Sequence, residues 1–170
     1  MLSNLSPTAP VGGLTLRPEA EDGHDEAFLF ALFASVKAPE MALMPIDDCA
    51  RGYLLRMQYR SMTASYRAGF PNARFEIVEQ DCEPIGRLVT DVQPDHVYYV
   101  DVALLPHARG RGIGTALMRA ALDEPRRLGI PCRVKVMSDN VASLRLWARL
   151  GFTPRAEMPP QIELEWSATA

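Results

Sequence analysis

The sequence predicts a single α/β domain of the α+β kind: a central mixed, mostly antiparallel sheet of about six or seven strands flanked by about four helices. Three observations predict it. The chain has 170 residues, 48% hydrophobic and 23% charged, the size and composition of one globular core. Its apolar residues recur at helical spacing through the first third and then switch to a period of two. Short polar turns join the period-two segments in succession, as antiparallel neighbours require.

Met1 to Gly13 is uncharged and proline-punctuated, the composition of a flexible tail ahead of a domain over 14–166. Leu14 to Arg17 is a short strand closed by Pro18. Glu19, Glu21, Asp22 and Asp25 precede the apolar run Ala27 to Val36, a first helix. Pro39 and Pro45 bracket a loop over 37–45. Asp47 and Asp48 can cap a second helix reaching about Ala68, and Gly69 and Pro71 end it. Its Tyr53, Leu54, Met57, Met62 and Tyr66 fall on one stripe that reads as core. Arg74 to Glu79 and Ile85 to Gln93 form a hairpin across the 80–84 turn. His96 to Leu105, the most β-prone stretch, is a central strand. Gly112 to Leu128 is a helix that Pro125 disturbs and Gly129 ends. Arg133 to Met137 is a strand, and Ala142 to Leu150 is a short helix stopped by Gly151. Two last strands cover about 153–157 and 161–166.

Charge is uneven along the chain. The formal net charge is −3, but between His107 and Arg149 nine Lys/Arg face three acids, leaving that segment at +6 and the remainder at −9. Such asymmetry favours a polyanionic partner for the C-terminal half, against a background of solvated helix faces. No apolar run nears the ~20 residues that a membrane span needs, and the N-terminus lacks a basic-then-apolar leader. Cys49, Cys82 and Cys132 are scattered and odd in number, which excludes a disulfide framework; with three histidines they offer no zinc spacing. The expectation is a cytoplasmic protein with no metal and no membrane partner.

The most informative segment is Leu104-Leu-Pro-His-Ala-Arg-Gly-Arg-Gly-Ile-Gly-Thr115. A buried strand stops at Pro106, and Gly110, Gly112 and Gly114 open a helix. Without Cβ atoms they let a ligand reach the backbone, and the unpaired first N–H groups and helix dipole attract an anion. Arg109 and Arg111 add charge, so phosphate or pyrophosphate is the natural guest. The P-loop pattern fails because Thr115 follows Gly114 with no lysine. The dinucleotide fingerprint fails because Thr115 stands where its last glycine belongs, and because the loop begins after Pro-His-Ala-Arg and not at the strand end. What remains is R-x-x-G-x-G, met by Arg109, Gly112 and Gly114, or a glycine loop that is merely structural.

That loop resembles the acetyl-CoA pyrophosphate loop of the GNAT N-acetyltransferase superfamily. Asn140-Val-Ala-Ser-Leu-Arg-Leu-Trp-Ala-Arg-Leu-Gly-Phe152 resembles the family's second motif, an Asn before a short helix closing in Leu-Gly-Phe. The order of elements also matches, over about Leu14 to Trp166. The resemblance implies the GNAT acyltransferase fold, with a splay between the fourth and fifth strands, and acetyl-CoA as cosubstrate. It implies that backbone groups of Leu104 and Leu105 pair with the pantetheine arm. It also implies that the amides of Arg109, Gly110, Arg111, Gly112, Ile113, Gly114 and Thr115 hold the pyrophosphate. Asn140 would hydrogen-bond the pantetheine, with Ser143 and Trp147 on the helix beside the thioester. The backbone N–H of Leu104 would receive the oxyanion.

Acetyl transfer to an amine needs a deprotonated nucleophile, an oxyanion donor and a fate for the leaving thiolate. Many members of the family carry a tyrosine acid four residues before the glycine of Leu-Gly-Phe; this chain has Trp147 there. An indole N–H has no proton to give. A thiol, of reference pKa about 8.5, is a tolerable leaving group and can depart unassisted or take a proton from elsewhere. For the base, the central strand offers Tyr98, Tyr99 and Asp101. Strict alternation puts Tyr99 and Asp101 on one face, a parity that any bulge would disturb. Asp101, with Tyr99 beside it, is the candidate, against the alternatives of a carboxylate satisfied by an arginine or by backbone N–H groups, or of a water chain as the base. His96 could reach an acceptor pocket, whereas His24 and His107 read as solvated.

The acceptor pocket is expected between the first two helices, their loop and the later hairpins. The acids there (Glu19, Glu21, Asp22, Asp25, Glu40, Asp47, Asp48) either favour a cationic acceptor such as an amine, an aminoglycoside or a peptide N-terminus, or serve as caps and solvating charge. The leading expectation is an N-acetyltransferase moving an acetyl group from acetyl-CoA to a primary amine of a small molecule or peptide by direct attack in a ternary complex. The alternative is a catalytically silent acyl-CoA-binding or sensing domain. Nucleic-acid binding is not expected, because the aromatics of the basic half are few, Trp147 and Phe152. The last strands and the second helix offer a surface for a homodimer.

Overall fold

The computed structural model describes residues 13–168, so the tail expected over 1–13 lies, but for Gly13, outside the described residues. β1 (Leu14–Pro18) is followed by α1 (Glu26–Ala42) and α2 (Asp48–Gly69). Three strands come next: β2 (Arg74–Gln80), β3 (Glu83–Val92) and β4 (Val97–Leu104). A 3-10 turn at Pro106–Ala108 leads into α3 (Ile113–Ala121) and α4 (Asp123–Leu128). β5 (Cys132–Met137), α5 (Val141–Arg149), β6 (Thr153–Met158) and β7 (Gln161–Trp166) complete the chain. The seven strands make one sheet in the order β1-β2-β3-β4-β5-β7-β6. Every adjacent pair is antiparallel except β4–β5.

The sheet is covered on both faces. On one, Ile77 packs against Leu29 and Phe33 of α1 and Tyr59 of α2. On the other, Val97, Tyr99, Cys132, Val134 and Val136 pack against Ile113, Leu117 and Met118 of α3 and Trp147 of α5. Coverage of both faces explains why β3 is buried along nearly its whole length, where a half-exposed strand would alternate.

Three expectations are corrected. α1 runs on through Pro39 to Ala42, where a loop over 37–45 was expected. The ring removes one backbone donor, but Met41, 1% exposed, anchors the final turn in the core. On α2, Asp47 caps as expected, accepting from the Ala50 N–H at 2.8 Å. The buried position of that helix, however, is Tyr59; Tyr53 and Met57 of the supposed core stripe are exposed. Finally, the helix expected over 112–128 is two helices broken at Leu122. Pro125 cannot donate back one turn, and the break falls where that bond would be.

The acids ahead of α1 and α2 are structural, as one of the two readings held. Asp25, 4% exposed, accepts from both terminal nitrogens of Arg17 at 2.8 and 2.7 Å and from the Ala20 N–H at 2.8 Å. The Arg17 hydrogen bonds, the largest cause, carry its pKa from 3.8 down to about 2. A folded pKa below the unfolded one gives stability that is complete above about pH 4 and lost as the pH falls towards 2. Thermal melting of the wild type should therefore drop across that window. Asp25→Asn should start lower at neutral pH and lose less across it; an undiminished acid slope in the variant would contradict the assignment.

Candidate active site

The site begins with a split in the sheet. β4 and β5 pair only through Val97↔Cys132, Tyr98↔Arg133 and Tyr99↔Val134. Beyond these, β4 stays with β3 to Leu104 and β5 stays with β7 to Met137. The C-terminal ends of two parallel strands thus diverge, and a cavity of about 1180 Å³ occupies the wedge. It is lined by α1 and α2 on one side, by both strand ends, and by the α3 and α5 N-terminal turns on the other.

A bulge in β4 decides which side chains face which half. The β3–β4 register steps from Thr90↔Tyr99 to Val89↔Asp101, so Val100 has no partner. Tyr99 and Asp101 consequently point to opposite faces, correcting the shared face expected from alternation. Tyr99 is 1% exposed, stacked on Trp147 with ring centroids 5.9 Å apart, its hydroxyl buried on the side of Cys132. Burial, the largest cause, raises the Tyr99 phenol well above its usual pKa.

Asp101 lies on the α1/α2 face. Arg87 Nε donates to its Oδ2 at 2.9 Å and Arg87 Nη2 donates to the same oxygen. Arg87 is 5% exposed, with Met62 at Nη2 and the Tyr66 ring 5.7 Å below its guanidinium carbon. Both bonds go to Oδ2, so Oδ1 takes none from Arg87; the Asp101 side chain is 21% exposed and lines the cavity. Tyr66 also lines it, and burial, ahead of the Asp101 charge, pushes its phenol up to about 12. Sequence reasoning missed Arg87. The available signal was an arginine inside the apolar run Ile85 to Val89, since a buried guanidinium requires a carboxylate partner.

At the other end the glycine loop is open. Gly110 and Gly112 have φ of +71° and +80°, and a Cβ at either would meet nothing within 4 Å. Their left-handed backbone turns the chain so that Gly112 caps α3, and the first α3 amides have no intrahelical acceptor. Ile113 is buried and anchors the turn, leaving only its backbone to a ligand. Gly110, Gly112, Gly114 and Thr115 line the cavity. Arg109, Arg145 and Arg149 lie there with Lys135, whereas Arg126 and Arg133 of the basic segment pair with Asp123 and Glu165. Arg111 is exposed. A multiply charged phosphate group fits this cradle of amides and arginines.

Backbone geometry separates Leu104 from Leu105. The Leu105 N–H donates to the Ile85 carbonyl at 2.8 Å and its carbonyl accepts from the Ala108 N–H at 2.9 Å, so the N–H is spent within the chain and the carbonyl keeps one lone pair. Successive residues of a strand point their amides in opposite directions. The N–H and carbonyl of Leu104 therefore face the wedge. Arg109 Nε already donates to that carbonyl at 2.7 Å, and its Nη2 reaches Ser35 Oγ of α1 at 3.3 Å.

On α5, Asn140 Oδ1 caps the helix by accepting from the Ser143 N–H at 3.1 Å, which leaves the Asn140 amide nitrogen for the cleft. The Trp147 indole donates to Ser143 Oγ at 3.1 Å and its ring packs on Phe152, centroids 4.8 Å apart. Trp147 is 2% exposed. Its one donor is spent, so it shapes the wedge and has no hydrogen bond to lend a thioester.

Of the two readings of the acids near the acceptor side, caps and solvating charge is the one the pairings favour. Glu19 pairs with Arg67, Glu40 with Lys37 and Asp48 with Arg51, and Asp101 is the single acid lining the cavity among the described residues.

Comparison with known proteins agrees with this architecture. Residues 43–152 match the model of the acetyltransferase (GNAT) family. The chain is 41% identical over 66 residues to L-methionine sulfoximine/L-methionine sulfone acetyltransferase of Salmonella typhimurium, covering 38% of this chain and 36% of that protein. It is 37% identical over 87 residues to mycothiol acetyltransferase of Nocardia farcinica, 51% of this chain and 28% of that one. In both cases the match spans about a third of the relative's length. Among solved structures, the PaiA N-acetyltransferase of Thermoplasma acidophilum in complex with coenzyme A superposes with a TM-score of 0.68 at 16% identity, covering 91% of this chain and 98% of that chain. Split sheet, glycine cradle and family match converge: this chain belongs to the acetyltransferase (GNAT) family.

Proposed function

We propose that this chain is an N-acetyltransferase that moves an acetyl group from acetyl-CoA to a primary amine of a small molecule or peptide, by direct attack in a ternary complex. The observation that carries the reading is continuity: one cavity joins the glycine cradle, the Leu104 backbone and Asp101. Acetyl-CoA supplies the acetyl thioester, and the rest is the work of this chain. Amides of Gly110 to Thr115, with Arg109, Arg145 and Arg149, hold the diphosphate. The Asn140 amide nitrogen positions the pantetheine, and Arg109 leaves the Leu104 carbonyl to free a second anchor. The Leu104 N–H faces the charge that builds on the acetyl oxygen. Asp101 Oδ1 binds the attacking amine and takes its proton, while Arg87 holds the carboxylate in place. Tyr99 keeps Trp147 in position from behind. Exposed free thiols at Cys49 and Cys82 support a reducing compartment such as the cytoplasm.

Acetyl-CoA incubated with a panel of amines should release free thiol with at least one of them. Coenzyme A binding with no release on any amine would favour a silent acyl-CoA-binding domain. The same assay addresses the missing acid. Because the Trp147 side chain is buried and its donor engaged, Trp147→Tyr should leave kcat unchanged or lower it; a large rise would mean that thiolate protonation had been limiting.

A further inference from the structure

The acceptor half of the cleft is walled by apolar side chains and holds a single carboxylate, too few for a polycation. α1 contributes Leu32, Phe33 and Val36, and α2 contributes Met62. Val36 leaves 49% of its surface open, apolar area that only an apolar group covers with gain. Against these walls stand Asp101, Tyr66 and Tyr98. A hydroxyl-rich acceptor would strand polar groups there without partners. Lys37 is paired with Glu40, Arg87 with Asp101, and the remaining cations lie towards the phosphate cradle, so Asp101 is the one carboxylate among the described residues that line the cleft. A second ammonium would find no carboxylate of its own.

We infer that the acceptor is an amine with one positive charge and an apolar arm, the amine on Asp101 Oδ1 and the arm along α1. This rests on the N-acetyltransferase reading above. The arm belongs either to a free alkyl- or arylalkylamine or to the first side chain of a peptide beginning with an apolar residue. Polyamines and aminoglycosides are discriminated against.

Matched pairs test it. n-Hexylamine is compared with 1,6-diaminohexane, per amino group, and leucinamide with lysinamide, each by thiol release from acetyl-CoA. In both pairs the apolar member should have the higher kcat/KM, and the faster apolar member identifies the source of the arm. From n-butylamine to n-hexylamine, kcat/KM should rise about fourfold per methylene, the equivalent of ~0.8 kcal/mol. Val36→Asp, a change on an open helix face, should abolish or reverse the preference while coenzyme A affinity stays the same. Equal or faster turnover of the charged member in either pair overturns the inference, as does a preference that survives Val36→Asp. No release on any amine, with coenzyme A bound, overturns the N-acetyltransferase reading itself.

Discussion

Asp101→Asn should lower kcat/KM about a hundred- to ten-thousandfold, the range for loss of a positioned proton acceptor, and leave coenzyme A affinity within about twofold. The asymmetry of the Arg87 pair motivates the expectation. Both guanidinium bonds reach Oδ2, and Oδ1 is the oxygen left for the amine. An amide at this position still accepts from Arg87 but cannot take a proton. The change also leaves a guanidinium that is 5% exposed without its counter-charge, which costs about 3–5 kcal/mol when such a partner is removed outright and less when a hydrogen-bonding group remains. A melting curve must accompany the assay, and the comparison is made well below the variant's Tm. Activity within threefold of wild type in folded protein would reduce Asp101 to a structural partner of Arg87.

Gly112→Val should weaken coenzyme A binding at least a hundredfold. The backbone there is left-handed, at φ +80°, which an L-residue adopts at about 1–2 kcal/mol. The new side chain would also point into the open space of the cradle, where the diphosphate must approach the amides. Losing two charge-assisted bonds at about 1.5–3 kcal/mol each accounts for the predicted loss. Gly129→Ala separates strain from obstruction: Gly129 has φ +68° and equally open surroundings, but it ends α4 and does not line the cleft. That variant should melt lower and bind coenzyme A normally. Equal loss of affinity in both would mean that general destabilisation, not obstruction of the cradle, lowers the affinity.

Most of the fold was legible because its signals are local. Period-two runs, hairpin turns and the Asp47 cap each state their structure within a few residues. The glycine spacing opening α3 was legible for the same reason. What escaped depends on distant partners. Pro39 reads as a helix stop until Met41 is seen buried in the core. The Tyr99–Asp101 parity failed on the unpaired Val100, which only the β3 register reveals. Arg87, missed in the sequence, becomes a site residue only when the bulge turns Asp101 towards it. Of the acids around α1 and α2, Glu19 and Asp25 are engaged by the distant Arg67 and Arg17, pairings that the local sequence does not state. Arg109 was read for its charge and its backbone amide; its side chain's hold on the Leu104 carbonyl and Ser35 links three separate segments.

The central claim is that main-chain amides of the Gly110 to Thr115 turn grip a nucleotide diphosphate at the mouth of the split sheet. Titrating coenzyme A into uniformly 15N-labelled protein and following the backbone amide resonances tests it at atomic level. The largest shifts should fall on Gly110, Gly112, Gly114 and Thr115, with Leu104 and Asn140 next and the strand β1 at rest. Saturable binding that leaves those glycine amides unmoved, or no binding at all to folded protein, would contradict it.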